Sequence, residues 1–291
     1  MAAIREPQGV VILPMHNEQA AAAVLLPQLR EVLDGLPGVW RMVVVDDASG
    51  DGSEEVAREA GAEVIRLAVN VGHQAAIRQG LEAIGDADWC VVMDGDGEDD
   101  PTAIARLWAE RVEGGAVFAR RGRREEGMRF RAGYVAYKLL YRVVIGRPMR
   151  HGNFSLIHRD VAQRLQRDGF VHFAAALDRL LVPSAEVVVD RLPRLAGHSK
   201  MNYERLALHG LMSLVEQSEA MVHAMFRVFL LVILGISGLL LFILRARFVS
   251  ETAIPGWSST LLVGLANAGL TCFIGFILGL VALNFQKRKT K

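Results

Sequence analysis

Between Val228 and Leu244 the chain reads VFLLVILGISGLLLFIL without one charged side chain, and from Thr260 to Phe285 it runs uncharged for another 26 residues. With Phe226 and Arg227 the first stretch is 19 residues, roughly 29 Å of α-helix at about 1.5 Å per residue. That matches the hydrocarbon thickness of a bilayer, about 30 Å, and buried helices of soluble proteins seldom stay uncharged beyond ~18 residues. Two membrane spans are expected, at about 226–247 and 260–285. Any water-borne chemistry then has to come from the first 225 residues. The intervening RARFVSETAIPGWSS carries Pro255, Gly256 and Trp257, a turn with an aromatic suited to the interface.

Two spans make a hairpin, so both ends share one side. The closing KRKTK assigns that side to the cytoplasm, with Arg245 and Arg247 on the far loop opposing the bias. The start, MAAIREPQG, lacks the basic residues and apolar run of a signal peptide, in keeping with a cytoplasmic N-terminus. Overall, 33 Lys+Arg against 32 Asp+Glu give a net +1, but the charge is split. Seven basic residues and one acidic follow Phe226, leaving 26 against 31 before it. With no global basic field, nucleic acid is not an expected partner. Cys90 and Cys272, both in apolar surroundings, exclude a disulfide scaffold and fit a reducing compartment. Residues 201–225 mix Leu206, Leu208, Leu211 and Leu214 with Glu204, Arg205, Glu216 and Glu219, the pattern of amphipathic juxtamembrane helices.

The N-terminal part alternates strand and helix patterns. Strands are expected at Val10–Leu13, Met42–Val45, Glu63–Leu67, Trp89–Met93 and Ala116–Ala119. Helices are expected at Ala20–Leu36, Ser53–Ala60, Gln74–Ile84 and Thr102–Val112. Repeated β-α-β units with continuously apolar strands mean a parallel sheet covered on both faces, with ligands beyond the carboxyl ends of its strands. Polar clusters fall at those ends: Pro14-Met15-His16-Asn17-Glu18, then Asp46-Asp47-Ala48-Ser49-Gly50-Asp51-Gly52-Ser53, then Asp94-Gly95-Asp96-Gly97-Glu98-Asp99-Asp100. Buried strands that run into acids meet repulsion unless a cation or donor-rich ligand is present. Hard oxygens spaced D-x-D-x-E suit Mg²⁺ or Mn²⁺, and in an extended segment Asp94, Asp96 and Glu98 would share one side. An EF-hand is a poor match, since a strand precedes the acids.

The ordered series ILPMHNE, VVVDDASGDGS, NVGHQAAIRQGL, VVMDGDGEDDP and LPRLAGHSKMN, over roughly residues 8–202, resembles the inverting family 2 glycosyltransferases of GT-A type. Within them it is most similar to the polyprenyl-phosphate, dolichol-phosphate-mannose-synthase-like group. The resemblance implies an α/β fold with a mainly parallel sheet: a GT-A domain at 1–200, juxtamembrane helices at 201–225 and a transmembrane hairpin at 226–291. It assigns Pro14, Asn17, Glu18, Asp46 and Asp47 to the base and ribose pocket, and Gly72, His73 and Arg78 to the segment covering the nucleotide. Asp94 and Asp96 match the metal-binding pair, with Glu98 near the metal. Arg194, Ser199 and Lys200 match a basic segment that meets phosphates. Where the group often carries an Asp proposed as base, this chain has Asn153, and Ser155 replaces an Arg. Arg120, Arg121, Arg123, Arg124, Arg129 and Arg131 crowd the segment after the fifth strand, a match for phosphate or anionic lipid.

The implied activity is metal-dependent transfer of a hexosyl or N-acetylhexosaminyl group from a UDP- or GDP-sugar to a polyprenyl phosphate at the membrane. A hydroxyl acceptor on a glycolipid, or a non-catalytic nucleotide-binding membrane protein, are the alternatives, and self-association stays open. A processive polysaccharide synthase is a further rival, against which stand the missing Q-x-x-R-W segment and two spans, too few for a translocation channel.

Overall fold

The computed structural model describes residues 6–122, 139, 141–146, 152–195, 203–248 and 256–289. The chain divides into two units, residues 1–138 with 149–216, and residues 217–291 with 139–148.

In the first unit the chain runs β1 (Gln8–Met15), α1 (Gln19–Asp34), β2 (Val39–Asp46), α2 (Ser53–Glu59), β3 (Glu63–Arg66), α3 (His73–Glu82), β4 (Trp89–Val92), α4 (Ala103–Ala109) and β5 (Ala116–Arg121). These are the expected alternating elements. Beyond them come β6 (Ser155–His158), α5 (Arg159–Asp168), α6 (Phe173–Leu180), β7 (Ser184–Val189) and α7 (Tyr203–Glu216). One seven-stranded sheet results, in the order β3-β2-β1-β4-β6-β5-β7. It is parallel except for β6, which pairs antiparallel with both β4 and β5. The sheet is therefore mainly parallel.

Strand alternation splits the core in two. Val11, Leu13, Val44 and Val91 face one layer with Leu25, Leu26 and Leu29 of α1 and Ile104 and Leu107 of α4. Val10, Ile12, Val43, Val45 and Val92 face the other, against Ile77 and Leu81 of α3, Val161 and Leu165 of α5, and Phe173 and Leu177 of α6. At the amino-terminal edge Trp40, Trp89 and Trp108 pack edge to face, with centroids 5.4 and 5.8 Å apart. The opposite edge is left for polar loops. Because β6 runs backwards, Asn153 at its start joins the residues that follow β1, β2, β4 and β7 there.

α3 seats closely on β1 and β2 because residue 80 is glycine. A Cβ there would stand 2.3 Å from Ile12 Cγ2 and 3.1 Å from Val45 Cγ2.

The second unit holds α8 (Ser218–Phe248) and α9 (Trp257–Lys289). Both are long and apolar enough to cross a membrane, over Ser218–Ala246 and Ser259–Val281. α8 starts ahead of the uncharged run, so residues 218–225, expected among the juxtamembrane helices, continue directly into it. The two helices pack antiparallel, with Phe226 against Phe276 at 5.1 Å and Phe229 against Phe273 at 5.6 Å between centroids. Gly275 and Gly279 let them approach: a Cβ on either would lie 2.9 Å from Met225 or Val222. This is the small-xxx-small device of membrane helix pairs.

Gly80→Ala tests the close approach of α3. Helix propensity alone favours Ala by about 1 kcal/mol, whereas overpacking a filled core costs about 1–3 kcal/mol. The thermal unfolding midpoint of the detergent-purified chain should fall; a raised midpoint would contradict the packing.

Candidate active site

The loops after β1 and β2 are stitched together. His16 Nδ1 donates to the Asp47 carbonyl at 2.8 Å, which leaves Nε2 to accept from the Asn17 amide at 3.1 Å. Asn17, at φ +52°, donates its N–H to Ser49 Oγ, and its Oδ1 accepts from Gly50 N at 2.7 Å. Glu18 N donates to Ser53 Oγ at 3.0 Å. Pro14 is buried inside β1. Two residues earlier the Ile12 carbonyl accepts from Met93 N; Pro14 points the same way, past the last rung shared with β4, where no donor is needed.

Both acids at the end of β2 are turned inward. Asp46, fully buried, accepts from Arg66 Nη1 at 3.0 Å and from Ser49 N at 3.2 Å. Asp47, also buried, accepts from Val71 N at 2.7 Å and Gly72 N at 2.8 Å. Two charge-assisted bonds to successive amides fix the entrance to α3, where Gly72 takes φ +88°. In this arrangement both carboxylates are taken up in holding the loops around the end of β2 and the start of α3. Arg66 was not foreseen in the sequence. It sits opposite Asp46 in the β2–β3 register, and that register is the signal that points to it.

Fixing that entrance sets His73, the first residue of α3, against the β4 loop. Its Nε2 lies 3.2 Å from Asp94 Oδ1. The Asn153 side-chain amide sits beside both: its Nδ2 donates to Asp94 Oδ1 at 3.3 Å and lies 2.9 Å from His73 Nε2. Desolvation opposes charging of His73, but the Asp94 carboxylate, with Asp96 and Asp99 behind it, overrides this and raises the imidazole above its ordinary 6.5. Arg78 lies farther along α3 and is exposed.

The β4 loop departs from the expected convergence of three acids. It is not extended: Gly97 at φ +76° turns the chain, so alternation no longer places Asp94, Asp96 and Glu98 on one side. Glu98 N caps back on Asp96 Oδ1 at 3.1 Å, and the Glu98 carboxylate pairs with Arg191. Among the described residues no three His, Cys, Asp or Glu side chains form a metal-holding group. Asp94 and Asp96 are left as neighbours. Burial raises the Asp96 carboxyl and Asp94 raises it further, with Arg194 and Arg191 pulling partly back. Arg194 reaches in after β7, its Nη2 2.8 Å from Glu18 Oε1 and its Nη1 3.5 Å from Asp96 Oδ2. Arg191 was not singled out from the sequence either; the cue was its place three residues before Arg194, at the close of an apolar strand. Ser199 and Lys200 lie outside the described residues, as do Arg123, Arg124, Arg129 and Arg131.

Residues 10–166, more than half of the chain, match the family model for glycosyl transferase family 2. This chain is a family 2 glycosyltransferase. Its relatives include YkcC, an uncharacterised glycosyltransferase of Bacillus subtilis, 27% identical over 294 aligned residues that cover 94% of this chain and 88% of YkcC. An undecaprenyl-phosphate 4-deoxy-4-formamido-L-arabinose transferase of Aeromonas hydrophila is 30% identical over 127 residues, 42% of this glycosyltransferase and 39% of the relative. The enzyme of that name from Salmonella choleraesuis is 26% identical over 212 residues, covering 67% and 63%. The fold is shared with glucosyl-3-phosphoglycerate synthase of Mycobacterium tuberculosis, solved with Mn²⁺, UDP and glucosyl-3-phosphoglycerate. The TM-score is 0.56 at 19% identity, over 74% of this chain and 80% of that one.

The His73–Asp94 contact sets a titration in the cation-free glycosyltransferase. A raised folded pKa means that the pair stabilises fully below about 6.5 and is lost as pH rises through the folded value. Histidine NMR, assigned with His73→Gln, should show a midpoint above 6.5 that drops in Asp94→Asn. A midpoint indifferent to Asp94→Asn would contradict the pairing.

Proposed function

We propose that this glycosyltransferase is anchored in the membrane by α8 and α9 and inverts the anomeric centre as it moves a sugar from a UDP- or GDP-sugar to a polyprenyl phosphate. The observation that carries the reading is the amide of Asn153 beside Asp94 and His73, where relatives of the resembling group often hold a carboxylate. A hydroxyl acceptor has a high pKa and needs a positioned base, worth roughly 10²–10⁴-fold. A phosphate monoester, with its second pKa near ~6, is already anionic at pH 7 and needs none. An amide orients such an oxygen by donating to it; a carboxylate there would repel both the phosphate and Asp94. His73 serves poorly as a substitute base, because Asp94 favours its charged form.

Asp94 and Asp96 suit a hard divalent cation. Burial and the Asp94 carboxylate beside it raise the proton affinity of Asp96, and Mg²⁺ or Mn²⁺ would relieve that repulsion. When bound there, the ion neutralises the leaving nucleoside diphosphate. Asn17, Glu18 and the Asp47-held Val71–Gly72 segment frame the base and ribose; Arg194, with Ser199 and Lys200, meets phosphate. Arg78 covers the nucleotide from α3. On this reading residues 1–200 are the catalytic domain, 201–225 the lead-in, whose last part already belongs to α8, and 226–291 the hairpin, with both termini cytoplasmic. Tethering at the bilayer raises the local concentration of a lipid acceptor. The two undecaprenyl-phosphate sugar transferases among the relatives support this choice of acceptor.

Asn153 separates the two acceptor classes. With a phosphate acceptor, Asn153→Ala should cost about tenfold or less, one positioning hydrogen bond at ~1–1.5 kcal/mol. Asn153→Asp should be slower still. If Asp instead raises the rate, a base is wanted, and a hydroxyl acceptor becomes the better reading.

A further inference from the structure

Residues 190–195, which follow β7, lie across the loop that follows β4. Arg191 pairs with Glu98, and Leu192 N donates to the Glu98 carbonyl at 2.9 Å. Leu195 covers Gly97 so closely that a Cβ on the glycine would stand 2.3 Å from Leu195 Cδ1. Between these contacts Arg194 bridges two acids from separate strands, Glu18 after β1 and Asp96 after β4. The Arg194 side chain is only 17% exposed, and its partners are 13% and 18% exposed. A guanidinium so placed is a built-in positive charge against Asp96, one of the two carboxylates that crowd the end of β4.

We propose that Arg194 is the internal counter-cation of the donor site. It holds the position beside Asp96 until a divalent cation displaces it, and the displaced guanidinium then turns to the diphosphate. The proposal rests on the reading that Asp94 and Asp96 hold the cation. It goes further in giving Arg194 two opposed effects: a competitor of the cation when no nucleotide is present, and a partner of the complex once phosphate offers its oxygens. Asp96 cannot serve the guanidinium and the metal fully at once, whereas a diphosphate accepts the planar fork bidentately. Arg191 and Leu192 keep the root of the segment attached to Glu98 throughout. Cation and nucleotide therefore bind cooperatively, each removing a cost that the other would meet alone.

The test is Mn²⁺ binding to the full chain in detergent, followed by electron paramagnetic resonance. Without nucleotide, Arg194→Met should bind Mn²⁺ about three- to tenfold more tightly than the unaltered chain. With saturating UDP the order should reverse. A second arm needs no variant: Mn²⁺ alone should speed tryptic cleavage at the Arg194–Leu195 bond, and Mn²⁺ with UDP should slow it again. Equal Mn²⁺ affinities in a folded Arg194→Met chain, or cleavage at that bond indifferent to Mn²⁺, overturns the proposal and leaves the cation reading standing. If Mn²⁺ binds neither chain, with or without UDP, the cation reading falls and the proposal falls with it.

Discussion

Carboxylates crowd the carboxyl edge of the sheet, and the domain cannot close until each has a partner. Asp46 takes Arg66, and Asp47 takes two backbone amides. Asp99 accepts from Asp94 N, and Glu98 pairs with Arg191. Glu18 and Asp96 share Arg194, and Asp94 faces His73 and Asn153. Buried acids of this density would otherwise cost several kcal/mol each. Neutralising them ties the ends of β1, β2, β4 and β7 and the start of α3 into one rim. Asp94 and Asp96 are the two of these acids that we propose hold the cation.

Much of this was legible in the residues. Mostly apolar runs of four or five residues marked the strands, and the helix periods between them forced parallel crossovers. The loops at the strand ends follow from that topology alone. What sequence did not show has two physical causes. β6, Ser155–His158, has only Leu156 and Ile157 as apolar residues and β7 reads SAEVVV, both ambiguous by period, and the antiparallel turn of β6 depends on pairing rather than pattern. The ion pairs are long-range: Arg194 lies 176 residues from Glu18, so no local motif couples them. The expected sharing of one side by Asp94, Asp96 and Glu98 failed for a local reason, since Gly97 turns a segment whose spacing reads as extended.

The C-terminal helices show the opposite balance. Their length and lack of charge were plain in composition, whereas their start at Ser218 was not, because Glu219 and His223 look like a surface pattern. Pairing through Gly275 and Gly279 gives the hairpin contacts that do not rely on the hydrophobic effect, which is lost between helices in lipid. The polar cluster at the strand ends lies in one unit and the two candidate membrane spans in the other.

The acceptor proposed for this glycosyltransferase is already an anion. The direct measurement is mass spectrometry of lipid products after the full chain, with Mg²⁺ or Mn²⁺, meets a panel of UDP- and GDP-sugars and either a polyprenyl phosphate or the matching polyprenol. An anionic acceptor predicts one sugar joined to the lipid through a phosphodiester, formed from the phosphate and absent with the polyprenol. A product in which the sugar sits on a hydroxyl, with the lipid phosphate left unconsumed, would contradict it.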